Sequence, residues 1–335
     1  MKCTILLTTD NPIYKNAVNE ALKFNCTIKI GVVDKDIPQL VGYKSARICC
    51  KSMIKSAIKK YKMDDIDWII TIEDYLSNHK KVWWSTPLIL ITDANGNLLA
   101  QSPPWKCKDP FSTLIPEDVI KATKKDSSHY IYGWTKTIGE TICEKYDVCK
   151  NDWQSHYNDR EQTDIIKDAL DKTIDILEDR IYLKETIKIW DNKIYDIYSL
   201  LSNKKSLRIL VDLLCLWIPK GTTKIIGLES NLALATSSKR KLGYIPMCIS
   251  GKLSGPVIRD EDDICEIRKD SIGKKDSVVI ISDIISDTFP PVSAVRLVQK
   301  CNAKISHFIV VNNISEYTDD LLENFLGIPF TSLFH

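Results

Sequence analysis

SVVIISDIISDTFPPVSAVRLVQK, residues Ser277–Lys300, sets the reading of the whole chain. Val278–Ile281 is an unbroken β-branched run, the pattern of a strand buried on both faces of a parallel sheet. Ser282-Asp283 ends the expected strand, a polar turn follows, and Val292–Val298 has helical apolar spacing. Strand, turn and helix with a carboxylate at the strand end is where an open α/β sheet holds sugar phosphates. Two neighbours repeat the theme. Lys224–Leu228 (KIIGL) is a short buried run leading through Glu229-Ser230 into an Ala-rich helical stretch, and Ile305–Val311 (ISHFIVV) is a third run.

The pieces KIIGLESNLALA (Lys224–Ala235), Lys252-Leu253-Ser254-Gly255, Glu266–Ile272 and VVIISD (Val278–Asp283) stand in an order that resembles the adenine branch of the type I phosphoribosyltransferases. The resemblance covers roughly Leu207–Ile314. It implies a parallel sheet flanked by helices and a loop that wraps the 5-phosphate of phosphoribosyl pyrophosphate. That loop reads two acids, two apolar residues, a small residue, then Thr-Gly-Gly-Thr, with glycines admitting close backbone approach. Here the positions hold Ser282, Asp283, Ile284, Ile285, Ser286, then Asp287-Thr288-Phe289-Pro290. One acid and both glycines are replaced, Asp287 adds negative charge, and Pro290 removes an amide donor. The remnant of the loop is Asp283, Ser286 and Thr288. Cys248 and Ile249 stand where the resemblance implies an Arg-Lys pair. The expectation is a kept fold with lost transferase chemistry.

The N-terminal half has its own α/β rhythm. Strands are expected at Cys3–Thr8, Thr27–Val33, Asp67–Glu73, Val82–Asp93 and Leu98–Ser102. Helices are expected from Pro12, capped by Asp10 or Asn11, to about Phe24, and over Gln39–Lys62. Thr9-Asp10-Asn11-Pro12 before Ala17-Val18, Ile72-Glu73 at a strand end, Ser102–Trp105, Thr137–Glu140, and Arg160 with Asp168-Ala169 together resemble the inosine/xanthosine triphosphatases. That resemblance covers most of Met1–Asp171 and implies hydrolysis of non-standard purine triphosphates with Mg²⁺. Glu73 and Asp74 would be the catalytic and metal-holding carboxylates. Asn11, Lys15, Lys44 and Arg47 would hold the nucleotide's phosphates. Tyr14 and Tyr75 stand where the resemblance implies Lys and Gly, and their bulk could fill the pocket. Adjacent strand residues face opposite sides, so Glu73 and Asp74 can share one metal only where the strand has already ended.

Asn151–Ser202 reads as one or two amphipathic helices, with Ile165, Ile166, Ala169, Leu170, Ile174 and Leu177 at helical spacing. The expected organisation is α/β with two domains. A triphosphatase-like domain spans 1–175, a helical connection 176–206, and a phosphoribosyltransferase-like domain 207–335. The apolar tail Phe325–His335 is expected to dock on a surface.

Composition bounds the rest. The 335 residues are 44% hydrophobic and 27% charged with a net charge of +2, which makes no case for nucleic acid or membrane binding. No apolar run is long enough to span a bilayer. Eleven cysteines without a CxxC pair fit free thiols in a reducing, cytoplasmic setting. The five histidines have no ligand or triad spacing. Trp83-Trp84 could stack a base or pack at the rim of a core. Two readings stand: a pseudoenzyme built from two nucleotide-metabolism folds and serving binding or assembly, with a second copy or another protein as partner and a purine nucleotide as ligand; or a Mg²⁺-dependent triphosphatase carrying an inactive transferase-like domain.

Overall fold

In a computed structural model of the chain, residues 3–22, 26–35, 37–104, 110–130, 132–148, 153–157, 160–190 and 194–334 are described. The chain divides into two compact units, Met1–Glu178 and Asp179–His335.

The first unit begins with β1 (Cys3–Leu7), α1 (Pro12–Ala21), β2 (Cys26–Ile30), β3 (Gln39–Val41) and α2 (Tyr43–Lys60). A long hairpin follows, β4 (Trp68–His79) with β5 (Val82–Thr92), then β6 (Leu98–Gln101) and β7 (Thr113–Ile115). It continues with α3 (Glu117–Lys125), β8 (His129–Tyr130), β9 (Gly133–Trp134), α4 (Ile138–Tyr146) and α5 (Gln162–Thr186), a helix that runs on past the division. Among the described residues nine strands make one mixed sheet. Its order is β2-β1-β4-β3-β9-β8, with β5 along the other side of β4 and β6 and β7 on β5. One face of β4 and β5 buries Ile69, Tyr75, Leu88 and Leu90 against Ala46, Cys50, Ile54 and Ala57 of α2. A second cluster gathers Leu76, Ile115, Val119, Trp134, Ile138 and Ile142 with α3 and α4.

Three expectations change here. Gln39–Val41 is strand rather than helix, and Gly42, at φ +89°, makes the break before α2. The expected helix from Pro12 ends at Ala21, and Phe24 lies outside the described residues. The strand expected to stop at Glu73 continues to His79, because β5 pairs with it residue by residue from Ile69↔Thr92 to His79↔Val82.

The second unit opens with the pair β10 (Lys188–Trp190) and β11 (Ile194–Asp196), then α6 (Ile197–Leu201) and α7 (Lys204–Leu216). The stretch 176–206, expected as a helical connection, thus holds the end of α5, this strand pair, α6 and the start of α7. Next come β12 (Lys224–Leu228), α8 (Asn231–Arg240), β13 (Gly243–Ile249), β14 (Val257–Arg259), β15 (Cys265–Arg268) and β16 (Ser277–Ile285). The unit closes with α9 (Phe289–Lys300), β17 (Lys304–Asn313), α10 (Asp319–Leu326) and β18 (Phe330–Phe334). The sheet order is β14-β15-β13-β12-β16-β17-β18. Strands β13, β12, β16, β17 and β18 are parallel neighbours, and β15 and β14 join antiparallel.

The parallel core follows from the β-branched runs: Ile226, Val278, Ile280, Phe308 and Val310 are buried beneath Ala294, Leu297 and Val298 of α9 and Leu322 of α10. Gly227 is required by close approach, since a Cβ there would lie 2.9 Å from the Ala233 Cβ of α8. The tail docks as β18 on β17, burying Phe330 and Phe334. The strand expected to end at Ser282-Asp283 runs on to Ile285, so both residues belong to β16.

Candidate functional site

The carboxyl edge of the second sheet is where its parallel strands would present a ligand site. β12 ends at Leu228, and Glu229 turns the chain in the left-handed region at φ +48°. The Glu229 amide donates to the Met247 carbonyl at 3.0 Å, and Lys252 Nζ donates to Glu229 Oε1 at 2.5 Å. Ser230 caps α8: its Oγ accepts from the Ala233 amide at 3.1 Å and donates to Asp283 Oδ1 at 2.5 Å. Asp283 is half-buried. Burial pushes its carboxyl up, while the Ser230 hydroxyl and the Asn231 amide pull the other way. The expected ribose ligand is therefore tied to the first turn of α8.

Three residues, Ser286, Asp287 and Thr288, join β16 to α9. A helix start offers its first amides to an anion. Here the Phe289 amide donates to Asp287 Oδ1 at 2.8 Å. Pro290 and Pro291 carry no N–H. The Val292 amide already donates to the Thr288 carbonyl at 3.1 Å. Of the amides of the first turn, that of Phe289 is taken by Asp287 and two are missing, so a carboxylate of the chain itself lies where an anion would bind. Ser286 is exposed, and the Thr288 side chain makes no capping bond. Around this edge Phe289 is 70% exposed and Ile249 48%, with Ile284 also exposed. Apolar side chains thus face water where a phosphate site needs donors.

Glu266, which sequence reasoning did not single out, organises the adjoining loop. It is fully buried and accepts from the Leu253 amide at 2.6 Å and Arg259 Nε at 3.1 Å. The Leu253 and Gly251 amides, with Arg259, hold its carboxyl down at about 2. Its place within the quoted Glu266–Ile272 segment, opposite Cys248 in the β13–β15 pair, was the available signal.

In the first unit, Glu73 and Asp74 sit in mid-strand, opposite Leu88 and Pro87. Alternation sends them to opposite faces. Glu73 is buried, and Lys35 Nζ donates to its Oε2 at 2.8 Å. Asp74 Oδ2 accepts from Tyr14 Oη at 3.0 Å and from Gln162 Nε2 at 2.9 Å. The shared metal site expected from this pair is therefore not what the strand builds: each acid has its own protein partners on separate elements. Among the described residues no group of three or more His, Cys, Asp or Glu is placed to hold a metal. Burial pushes the Asp74 carboxyl up to about 6, against the pull of the Tyr14 hydroxyl, and nearby Glu73 adds to the rise. Burial and Asp74 push the Tyr14 hydroxyl well up.

Asn11 caps α1, its Oδ1 accepting from the Ile13 amide at 3.0 Å. Lys15 is exposed on α1, Lys44 is exposed at the start of α2, and Arg47 is half-buried one turn further on. Tyr14 fills the space beside Asp74. Tyr75 instead packs in the α2 core, its ring 5.8 Å from that of Tyr43. Lys35 and Gln162 were missed because neither belongs to any motif. Trp83 packs on Trp134 with ring centres 5.6 Å apart, and Lys124 Nζ lies 4.6 Å from the Trp83 ring. Trp105 lies outside the described residues.

Set beside known proteins, about 40% of the chain is similar to adenine phosphoribosyltransferases. The enzyme of Phocaeicola vulgatus is 29% identical over 120 residues, 33% of this chain and 69% of that one. That of Blochmanniella pennsylvanica is 28% identical over 148 residues, 41% of this chain and 80% of that one. The solved Saccharomyces cerevisiae adenine phosphoribosyltransferase, complexed with an imino-altritol bisphosphate and adenine, superposes with a TM-score of 0.41 at 22% identity. It covers 47% of this chain and 98% of its own. No protein-family model matches the chain. These similarities do not extend to the inosine/xanthosine triphosphatases, and that expectation rests on the sequence pieces alone. No helix among the described residues is long and apolar enough to cross a membrane.

Proposed function

We propose that the phosphoribosyltransferase-like part of this chain is a pseudoenzyme, a nucleotide-metabolism scaffold kept for binding or assembly. The observation that carries this reading is the closed start of α9. Asp287 occupies the Phe289 amide and Pro290 and Pro291 supply none, so the 5-phosphate of phosphoribosyl pyrophosphate meets a carboxylate in place of donors. The apolar exposure of Phe289, Ile284 and Ile249 at the same edge fits contact with a protein, either a second copy or another chain. The test is conversion of labelled adenine to AMP by the full chain with phosphoribosyl pyrophosphate and Mg²⁺. No product above background is expected, together with no thermal shift on adding phosphoribosyl pyrophosphate. Product formation that Asp283→Asn abolishes would overturn the reading.

A second reading, Mg²⁺-dependent hydrolysis of non-standard purine triphosphates by the first unit, draws on one observation. A carboxyl near 6, as at Asp74, is suited to general-base work at neutral pH. Against it stand the opposite facing of Glu73 and Asp74 and the seating of Tyr14 on Asp74. Phosphate release from ITP and XTP with Mg²⁺, lost in Glu73→Gln, would establish it; release no greater than that of Glu73→Gln would remove it.

A further inference from the structure

Nine cysteines lie among the described residues, and no disulfide joins any of them. Cys49 and Cys50 are consecutive in α2, while Cys248 and Cys265 face Glu266 and Ile249 rather than each other. Cys3 and Cys26 differ: they are directly registered partners in the parallel pair β1–β2. Registered residues of neighbouring strands point to the same face, and strands lie about 4.8 Å apart. That spacing falls inside the Cα separation of roughly 4.4–6.8 Å that a disulfide spans. Both thiols are half-exposed, and β2 is the end strand of its sheet, so it can yield as the two Cβ atoms close.

We propose that Cys3 and Cys26 are a reversible, peroxide-driven disulfide site that clasps the start of the first unit. Asp67 serves the step. The Cys3 thiol lies close enough to feel its charge, and the Thr4 amide fixes Asp67 Oδ2 at 2.7 Å. Burial, with Asp67 and Cys26 beside it, pushes the Cys3 thiol up to about 11, so Cys3 stays protonated at rest and Cys26 reacts first. The Cys26 sulfur attacks hydrogen peroxide, the O–O bond breaks, and sulfenic acid and one water form. The Cys3 sulfur then attacks the Cys26 sulfur. The Cys3 proton passes by way of Asp67 to the departing hydroxide, and the S–S bond and a second water result. Two thiols have lost two electrons to one peroxide, and a dithiol reductant reverses the change. The clasp closes the chain around α1, the helix whose Tyr14 holds Asp74.

The experiment is mild peroxide treatment of the folded full chain, followed by intact mass and non-reducing peptide mapping. Expected are a loss of two hydrogens, a Cys3–Cys26 cross-linked peptide, and formation roughly tenfold faster than in the urea-unfolded chain. Cys26→Ser removes the cross-link. Asp67→Asn and Cys3→Ser let a dimedone-reactive sulfenic acid accumulate at Cys26. The proposal fails if both thiols remain alkylatable after peroxide, if wild type accumulates sulfenic acid at Cys26 as the variants do, or if other cysteines are linked as fast. The wild-type map alone decides the linkage should a variant not fold.

Discussion

At Asp74 two donors, the Tyr14 hydroxyl and the Gln162 amide, converge on one carboxylate oxygen, yet burial outweighs them and the carboxyl rises to about 6. In the unfolded chain the same group titrates at about 3.9. Between those values the folded state holds a proton that the unfolded state has released, so Asp74's share of stability falls as pH rises from about 4 to 6 and is flat above. The span corresponds to about 3 kcal/mol, by order of magnitude. Asp74→Asn should raise stability at pH 8 relative to wild type, and the gap should narrow to about a third at pH 4.5, as read by urea unfolding at both values. Added Mg²⁺ should leave wild-type unfolding unchanged; a Mg²⁺-dependent gain lost in Asp74→Asn would restore the metal site. The Lys35–Glu73 pair calls for a different variant. Lys35→Met strands a buried carboxylate and should cost about 2 kcal/mol, with much of that recovered in Lys35→Met/Glu73→Gln. Equal losses in the single and double variants would show that Lys35 does not pair with Glu73.

Among the elements, β16 and α9 show what was legible and what was not. The Val278–Ile281 run and the Val292–Val298 spacing announced strand and helix, since burial leaves a periodic trace. The strand end was misread because Ser282-Asp283 looked like a turn. Pairing with Ile309–Asn313 of β17, remote in sequence, carries β16 on to Ile285. Pairing also hid the true extent of β4, whose last residues are held by β5 across a tight hairpin turn. Candidate acids were legible as residue types, but their facing was not, because it depends on where the strand ends. The closed start of α9 was readable from Asp287 and Pro290, whereas the Ser230–Asp283 bond joins the cap of α8 to β16, 53 residues away, and leaves no local signal. Asp287→Ala should cost about 1 kcal/mol by loss of the Phe289 cap, measured by urea unfolding. Asp287→Gly with Pro290→Ala should instead free two amides, giving phosphate-dependent thermal stabilisation that wild type lacks. Equal phosphate response in both proteins would mean that the helix start was never closed.

For the whole molecule, the two compact units rest on separate cores, one built on β4, β5 and α2 and the other on β12, β16, β17 and α9. Separate cores need not melt together, and a chain of this kind departs from a single two-state transition. Ile69 and Ile280 are fully buried, one in each core. Truncating either to alanine removes buried methylenes and leaves a cavity, at about 2–5 kcal/mol. The helix α5 crosses the division without a break, so it is the element through which unfolding of one unit could reach the other. Scanning calorimetry of the full chain should resolve two transitions. Ile69→Ala should lower one of them and Ile280→Ala the other, with the untouched transition moving by less than about a third as much. If both variants shift one common transition by similar amounts, the units unfold as one cooperative body. The continuity of α5 would then matter more than the separateness of the cores.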